Sequence, residues 1–168
     1  YRMSGQKVFD DNIQGLGKYW QHMRLPNGQL LRDGDGIAGG RPNAFSYWSS
    51  PQTMLLIYAY ADDPILKAEF ERQGGLSGNP VLFLVLNDPN LAPVDGRDSL
   101  PLTINFGPIL GSMIARTGWD IGLDSNDVVA EIKGGGYHFG NHQHSDAGAL
   151  QIYYRGLQVA DLGVYKFY

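Results

Sequence analysis

Asn141, His142, His144 and Asp146 stand together in Gly-Asn-His-Gln-His-Ser-Asp-Ala-Gly (140–148), and His138 lies just upstream. Three of the four histidines therefore fall within one short segment. Imidazole and carboxylate are the side chains that ligate zinc or move protons near neutral pH, so the cluster reads as a site. An extended backbone repeats every two residues, which would put His142 and His144 on one face. Asp161 is the next acidic candidate partner for His144. A flat hairpin about Arg155-Gly156 sets Asp161 opposite Leu150, roughly 20 Å from His144 at ~3.3 Å per residue. A shared His144–Asp161 site therefore requires the chain to fold back around Ser145–Gly148. The spacing alone leaves metal binding and acid/base work both open.

The elements that must carry this cluster follow from composition and periodicity. Hydrophobic residues make up 43% of the chain and charged residues 18%, as in a globular core. With Lys+Arg 13 against Asp+Glu 17 the net charge is −4, and no basic run marks a nucleic-acid partner. Cysteine is absent, which excludes disulfides, thiolate ligands and a cysteine nucleophile. The apolar runs, such as Met54–Ala59 and Pro80–Leu86, are too short to span a membrane. The apolar ends of the chain suggest a piece of a larger polypeptide.

Apolar residues Val8, Ile13, Leu16, Trp20 and Met23 predict a helix within Lys7–Leu25, weakened by Gly15 and Gly17 and closed by Pro26-Asn27-Gly28. The stretch from Gln29 to Pro42 reads as a loop. Its Asp33-Gly-Asp35-Gly is taken as a turn, because no glutamate completes a calcium loop. Ser49 or Ser50 followed by Pro51 begins a second helix with Met54, Leu55, Tyr58 and Ala59 inward. A third runs from Pro64 to Gln73 and stops at Gly74-Gly75. Pro80–Asn87 fits either a buried strand or a helical turn. Past Asn90 the texture becomes strand-like: Thr103–Phe106, Gly111–Arg116, Asp127–Lys133, then Gln151–Tyr154 and Leu157–Asp161 about an Arg155-Gly156 turn. Helices first and strands later predict an α+β, multidomain chain.

The run from Gly134 to Tyr165, Gly-Gly-Gly-Tyr-His-Phe-Gly-Asn-His-Gln-His-Ser-Asp-Ala-Gly-Ala-Leu-Gln-Ile-Tyr-Tyr-Arg-Gly-Leu-Gln-Val-Ala-Asp-Leu-Gly-Val-Tyr, resembles the heparinase II/III-like polysaccharide lyases. Leu25-Pro-Asn-Gly-Gln-Leu-Leu-Arg-Asp-Gly-Asp35 is similar to that family's toroid region. The resemblance implies the C-terminal part of an incomplete (α/α) toroid over 1–92, then the start of an antiparallel β-sandwich over 93–168. It implies that His144 and Asp161 ligate a mainly structural zinc, with the third ligand outside this segment. It further implies an active-site role for His142 and a place near the active site for Tyr165. The family's catalytic tyrosine and an upstream histidine would lie before this segment.

The chemistry implied is β-elimination on a uronic-acid polysaccharide, with heparin-like glycosaminoglycans favoured. His142 would neutralise the uronate or shuttle a proton, Asn141 would donate a hydrogen bond, and Tyr165 would serve acid/base work. The partner expected is an acidic polysaccharide, with no nucleic acid and no membrane, in a periplasmic or secreted setting, and a homodimer is an admissible assembly. Plainer readings stand beside these. Tyr165 also suits strand packing, Asn141 and Asp146 suit turns, and Tyr47-Trp48 suits a core rather than a sugar platform. Arg116 reads either as a solvated strand residue or as an anion partner. A non-catalytic carbohydrate-binding or structural module is the alternative function. A zinc hydrolase is disfavoured, since there is no His-Glu-x-x-His and Glu131 is the one glutamate near the cluster.

Overall fold

In the computed structural model the described residues are 5–32, 51–75, 78–135 and 147–160. They divide into two compact units, one of residues 1–21 and 50–99, the other of residues 22–49 and 100–168. Helices dominate the first and strands the second, so the fold is mixed α+β, as the order of patterns along the chain predicts.

The first unit is built on α1 (Ile13–Met23, whose last two residues belong to the second unit), α2 (Pro51–Ala61), α3 (Pro64–Arg72) and α4 (Pro80–Leu86). Three of these begin at a proline, whose fixed φ suits the first turn and whose missing N–H costs nothing there. Asp63 caps α3 by accepting from the N–H groups of Ile65 and Leu66, and Asn79 caps α4 by accepting from Leu82. The Asn79 cap decides the ambiguous Pro80–Asn87 run in favour of helix. Inside the unit Tyr58 meets Phe70 edge to face at 5.2 Å, and Phe70 stacks on Phe83 at 6.3 Å. The Tyr58 hydroxyl donates to Asn87 Oδ1, which satisfies its buried polar end. Gly17, inside α1, is a packing residue: a Cβ there would lie 3.2 Å from Asp63 Oδ2 and 3.4 Å from Ile57.

The second unit is a five-stranded antiparallel meander in sequential order. Its strands are β1 (Thr103–Asn105), β2 (Ser112–Arg116), β3 (Val128–Lys133), β4 (Leu150–Tyr154) and β5 (Leu157–Val159). The short helix α5 (Gly107–Leu110) joins β1 to β2. The β4–β5 turn uses Arg155 at φ 52° and Gly156 at φ 149°, as the Arg155-Gly156 pair predicts. Residues 22–32 belong to this unit and form a small looped-back segment. Arg24 bridges Leu30, the Leu25 N–H donates to Gln29 O, and the Leu31 N–H donates to Met23 O. Leu25 and Leu31 are buried.

The β2–β3 connection is tied by one carboxylate. Asp127 Oδ2 accepts from the Asp120 N–H at 2.7 Å, and a side chain on Gly118 would collide with both Asp127 oxygens. Gly118→Ala should therefore destabilise the protein by about 1–3 kcal/mol through overpacking. Denaturant midpoints of the two proteins check this, and an unchanged midpoint would show that the connection gives way freely.

Candidate functional site

The two faces of the sheet have opposite chemistry. Ser112 and Arg116 of β2, Glu131 and Lys133 of β3, and Gln151 and Tyr153 of β4 all turn to one face and are buried. Registers Ser112↔Lys133, Glu131↔Gln151 and Val129↔Tyr153 set them side by side. The other face carries Met113, Ile132 and Leu150 in one row, exposed at 40%, 45% and 43%. Strand alternation places every second residue on each face, so the inward set is fixed once Ile114 and Val129 are inward.

At one end of the buried face three side chains form a chain of hydrogen bonds. Glu131, 1% exposed, accepts from the Ser112 hydroxyl at Oε1 and from Gln151 Nε2 at Oε2, both at 2.6 Å. Gln151 in turn grips the Arg32 backbone: its Oε1 accepts from the Arg32 N–H at 2.9 Å, and its Nε2 donates to Arg32 O at 2.6 Å. Both Glu131 oxygens act as acceptors, as an ionised carboxylate does, and such bonds are the stronger kind.

Toward the other end Arg116 stacks over the Trp119 ring at 3.8 Å while its Nε donates to Gly118 O. Its Nη2 reaches Arg24 O, and Arg24 Nη2 reaches Trp119 O. His22, fully buried, meets the Trp119 ring edge to face at 5.0 Å, with its Nε2 3.0 Å from Pro101 O. Arg116 is thus neither a solvated strand residue nor an exposed anion partner. It is packed, and its cation–π stack with carbonyl contacts compensates the burial. The fourth histidine, outside the sequence cluster, is likewise a core residue.

The histidine cluster sits on the connection between β3 and β4. The neck of that connection is closed: the Lys133 N–H donates to Ala149 O at 3.0 Å, the Gly148 N–H donates to Lys133 O, and a Cβ on Gly135 would lie 3.3 Å from that of Ala147. Gly148 takes φ 87°, the left-handed turn that a fold-back there requires. β5 runs antiparallel to β4 with Ile152↔Val159, so β5 ends on the side of the sheet where β4 begins. A shallow open groove of about 360 Å³ lies at this end, bordered by Asn105, Gly107, Gly111, Met113, Ile132 and Gly134. Among the described residues, its lining carries no charged side chain.

Asn141, His142, His144, Asp161 and Tyr165 lie outside the described residues, as do His138, Asp146, Asp33, Asp35, Tyr47 and Trp48. Among the described residues no three His, Asp or Glu side chains assemble as a metal site. Also among the described residues, no helix is long and apolar enough to cross a membrane. No residue pattern singles out Gln151 or Arg32, because one carboxamide and one loop arginine carry no motif. Comparison with known protein-family models and with characterised protein sequences gives no match.

Tyr153 is another ionisable group of this face. It is 1% exposed, and burial raises its phenol pKa above the ordinary 10, with a hydrogen bond from the Asn27 backbone opposing the shift. Because the folded value is the higher one, this contribution to stability is complete below about pH 10 and is lost as pH rises through the folded pKa. Tyr153→Phe should remove that loss. Unfolding followed between pH 8 and 11 (roughly one unit either side of tyrosine's usual value) should show a shallower alkaline decline than in the parent, and parallel curves would contradict it.

Proposed function

We propose that this chain is part of a polysaccharide lyase that cleaves uronic-acid polysaccharides by β-elimination, with heparin-like glycosaminoglycans the favoured substrates. The observation that carries the reading is topological. The neck residues 133–135 and 147–149 and the last residue of β5 lie at the same end of the sheet, next in sequence to two further segments. Those segments hold Asn141, His142 and His144 on one side and Asp161 and Tyr165 on the other, the residue set that the resemblance requires.

In this reading the C5 proton of the uronate passes to a base, a C4–C5 double bond forms, and the C4–oxygen bond breaks with its electrons going to the leaving glycosidic oxygen, which is then protonated. The uronate carboxylate must be neutralised as negative charge builds on it. His142 supplies that charge or relays the proton, and Asn141 donates a hydrogen bond to the same carboxylate. Tyr165 is the acid/base group on this chain, working beside a catalytic tyrosine from outside the segment. His144 and Asp161, with a third ligand from outside the segment, would hold zinc, since imidazole nitrogen and carboxylate oxygen suit that ion. When bound, the ion clamps the two segments together and leaves the proton transfers to the side chains.

The same proposal takes residues 1–92 as the end of an (α/α) toroid and residues 93–168 as the start of a β-sandwich. The apolar row Met113, Ile132 and Leu150 favours this, because an exposed apolar sheet face suits a second sheet packed over it. The setting proposed is periplasmic or secreted, and a homodimer remains compatible. A non-catalytic carbohydrate-binding module on the same fold is the alternative. The uncharged groove favours it, since that groove by itself offers nothing to stabilise a carbanion.

The test is direct. The intact parent polypeptide, loaded with zinc, is incubated with heparan sulfate, chondroitin and alginate while ultraviolet absorbance of the unsaturated uronate is followed. Absorbance should rise with one of them, and His142→Ala should lower the rate by about 10²–10⁴-fold, the usual worth of a positioned proton-transfer group. Folded, zinc-loaded protein that raises no absorbance on any substrate would leave the binding module as the better reading.

A further inference from the structure

Asn27-Gly28 is the one Asn-Gly pair in the sequence, and it forms the bend of the looped-back segment 22–32. Asparagine followed by glycine is the pairing most prone to lose its side-chain amide without a catalyst. Glycine has no Cβ to hinder its own nitrogen as that nitrogen closes on the asparagine Cγ. Asn27 and Gly28 are half-buried and Gln29 is exposed, so water reaches the bend.

The hydrogen bonds around this pair divide into one that favours the reaction and others that oppose it. Asn27 Oδ1 accepts from the Gln29 N–H at 3.1 Å. A donor there stabilises the negative charge that collects on this oxygen as Cγ is attacked. The attacking group is held back, because the Gly28 N–H donates to Leu25 O at 3.1 Å. The bend around it is pinned as well. Pro26 O accepts from the Gly122 N–H at 2.9 Å, the Leu25 N–H donates to Gln29 O at 2.7 Å, and the Asn27 backbone donates to the Tyr153 hydroxyl. The carbonyl is prepared and the nucleophile is withheld.

We propose that Asn27 is a self-modification site: the closed bend suppresses attack by Gly28, the open bend permits it, and opening is thereby recorded as an irreversible change of the backbone. The Gly28 nitrogen bonds to Asn27 Cγ, the Cγ–Nδ2 bond breaks, and Nδ2 leaves as ammonia with the proton that Gly28 gives up. Water then adds to one of the two carbonyls of the cyclic imide. Opening at Cγ leaves aspartate. Opening at the backbone carbonyl leaves isoaspartate, with the chain routed through Cβ and Cγ.

Isoaspartate lengthens the backbone by one carbon at a bend whose register is fixed on both sides. Arg24 bridges Leu30, the Leu31 N–H donates to Met23 O, and Leu25 and Leu31 are buried. A longer bend cannot keep these pairings and both leucines in place. Release of the segment takes the Arg32 backbone from Gln151, and with it the cover of the Glu131 carboxylate, which is costly to leave half-satisfied. The proposal rests on these bonds and is independent of the lyase reading.

The experiment incubates the full chain in mildly alkaline buffer, folded and fully unfolded in urea. Trypsin then releases the peptide Leu25–Arg32, in which loss of the amide is read by mass and isoaspartate by its specific enzymatic methylation. The unfolded chain should convert steadily. The folded chain should convert at least about tenfold more slowly, since reaction is limited to the fraction that is open. Tyr153→Phe should speed the folded protein by roughly two- to tenfold, the worth of one hydrogen bond. Urea below the unfolding midpoint should speed the parent too. Purified isoaspartyl protein should show faster hydrogen exchange at the Gln29 and Leu31 amides. Asn27→Asp adds the charge without the extra carbon and should keep the parent's protection there.

Equal rates in folded and unfolded protein would overturn the gate, and so would a rate that sub-denaturing urea leaves unchanged. An unfolded chain that forms no isoaspartate at residue 27 would overturn the site itself. Isoaspartyl protein with the parent's exchange rates would overturn the structural consequence, and loss of protection in Asn27→Asp would assign it to charge instead of backbone length. Should Tyr153→Phe fail to fold, the urea series decides the matter.

Discussion

Glu131 is a carboxylate on the inward face of a central strand, and the second unit is organised around keeping it satisfied. A buried charge without partners costs several kcal/mol even after relaxation, so its neighbours are constrained in type. Ser112 must offer a hydroxyl across β2 and Gln151 an amide across β4. The register of three strands is thereby pinned by polar bonds rather than by apolar packing alone. A slip of one residue would turn Met113, Ile132 and Leu150 inward against each other and leave the carboxylate facing solvent. Gln151 then carries the constraint out of the sheet to Arg32. The looped-back segment 22–32 is held at that end by a side chain and along its length by Leu25 and Leu31 in the core.

The opposite end of the same face solves the same problem by different chemistry. Arg24 and Arg116 are both almost fully buried. Carbonyl oxygens of Trp119, Gly118 and Arg24 take their N–H groups, and the Trp119 ring takes the flat face of Arg116. A guanidinium tolerates this better than an ammonium would, because it is weakly hydrated and stacks. His22 closes the arrangement from the last turn of α1, where a basic group also suits the negative end of the helix dipole. This end is therefore a rigid, water-poor plug. The end with Gly134, Gly148 and the groove is where long connections leave the sheet.

Much of this architecture was legible in the sequence, and the limits of that legibility have physical causes. Pro51 and Pro64 mark their helices correctly, and Asp63 shows why: proline at the first helical position and an acceptor just before it are local signals that tertiary packing does not override. The first helix begins at Ile13 rather than near Lys7, because Asp10 turns the chain by accepting from the Asn12 N–H. Gly17, which weighs against a helix on propensity, is required there by the closeness of Asp63 and Ile57. The strands were readable from alternation, and the Ile152↔Val159 pairing is the register that a flat turn at Arg155-Gly156 predicts, while an irregularity beside it pairs Tyr153 with Leu157. What alternation could not give is which face packs inward. Hydrophobicity alone would bury Met113, Ile132 and Leu150, yet Ser112, Glu131 and Gln151 are the ones covered. The five residues marked for chemistry on sequence grounds lie outside the described residues, so the part of the site that is visible is its frame.

That frame carries its own argument about where chemistry can occur. A sheet that buries Ser112, Glu131 and Gln151 beside Ile114, Val129 and Tyr153 while exposing Met113, Ile132 and Leu150 departs from the usual pattern of an outer face that meets water with polar residues. The buried side is covered by residues 22–32 and its polar groups are bonded to one another. The apolar side offers a substrate nothing but dispersion and desolvation, too little to hold or neutralise a uronate. On the lyase reading proposed above, contact with an acidic chain falls to the rim, where the backbone turns at Gly111, Gly135 and Gly148. The rim at the Gln151 end is also the one place where the buried network reaches outward, through the backbone of Arg32. The carboxylate network thus fixes the geometry of that end of the sheet, as a supporting shell must for any site built beside it.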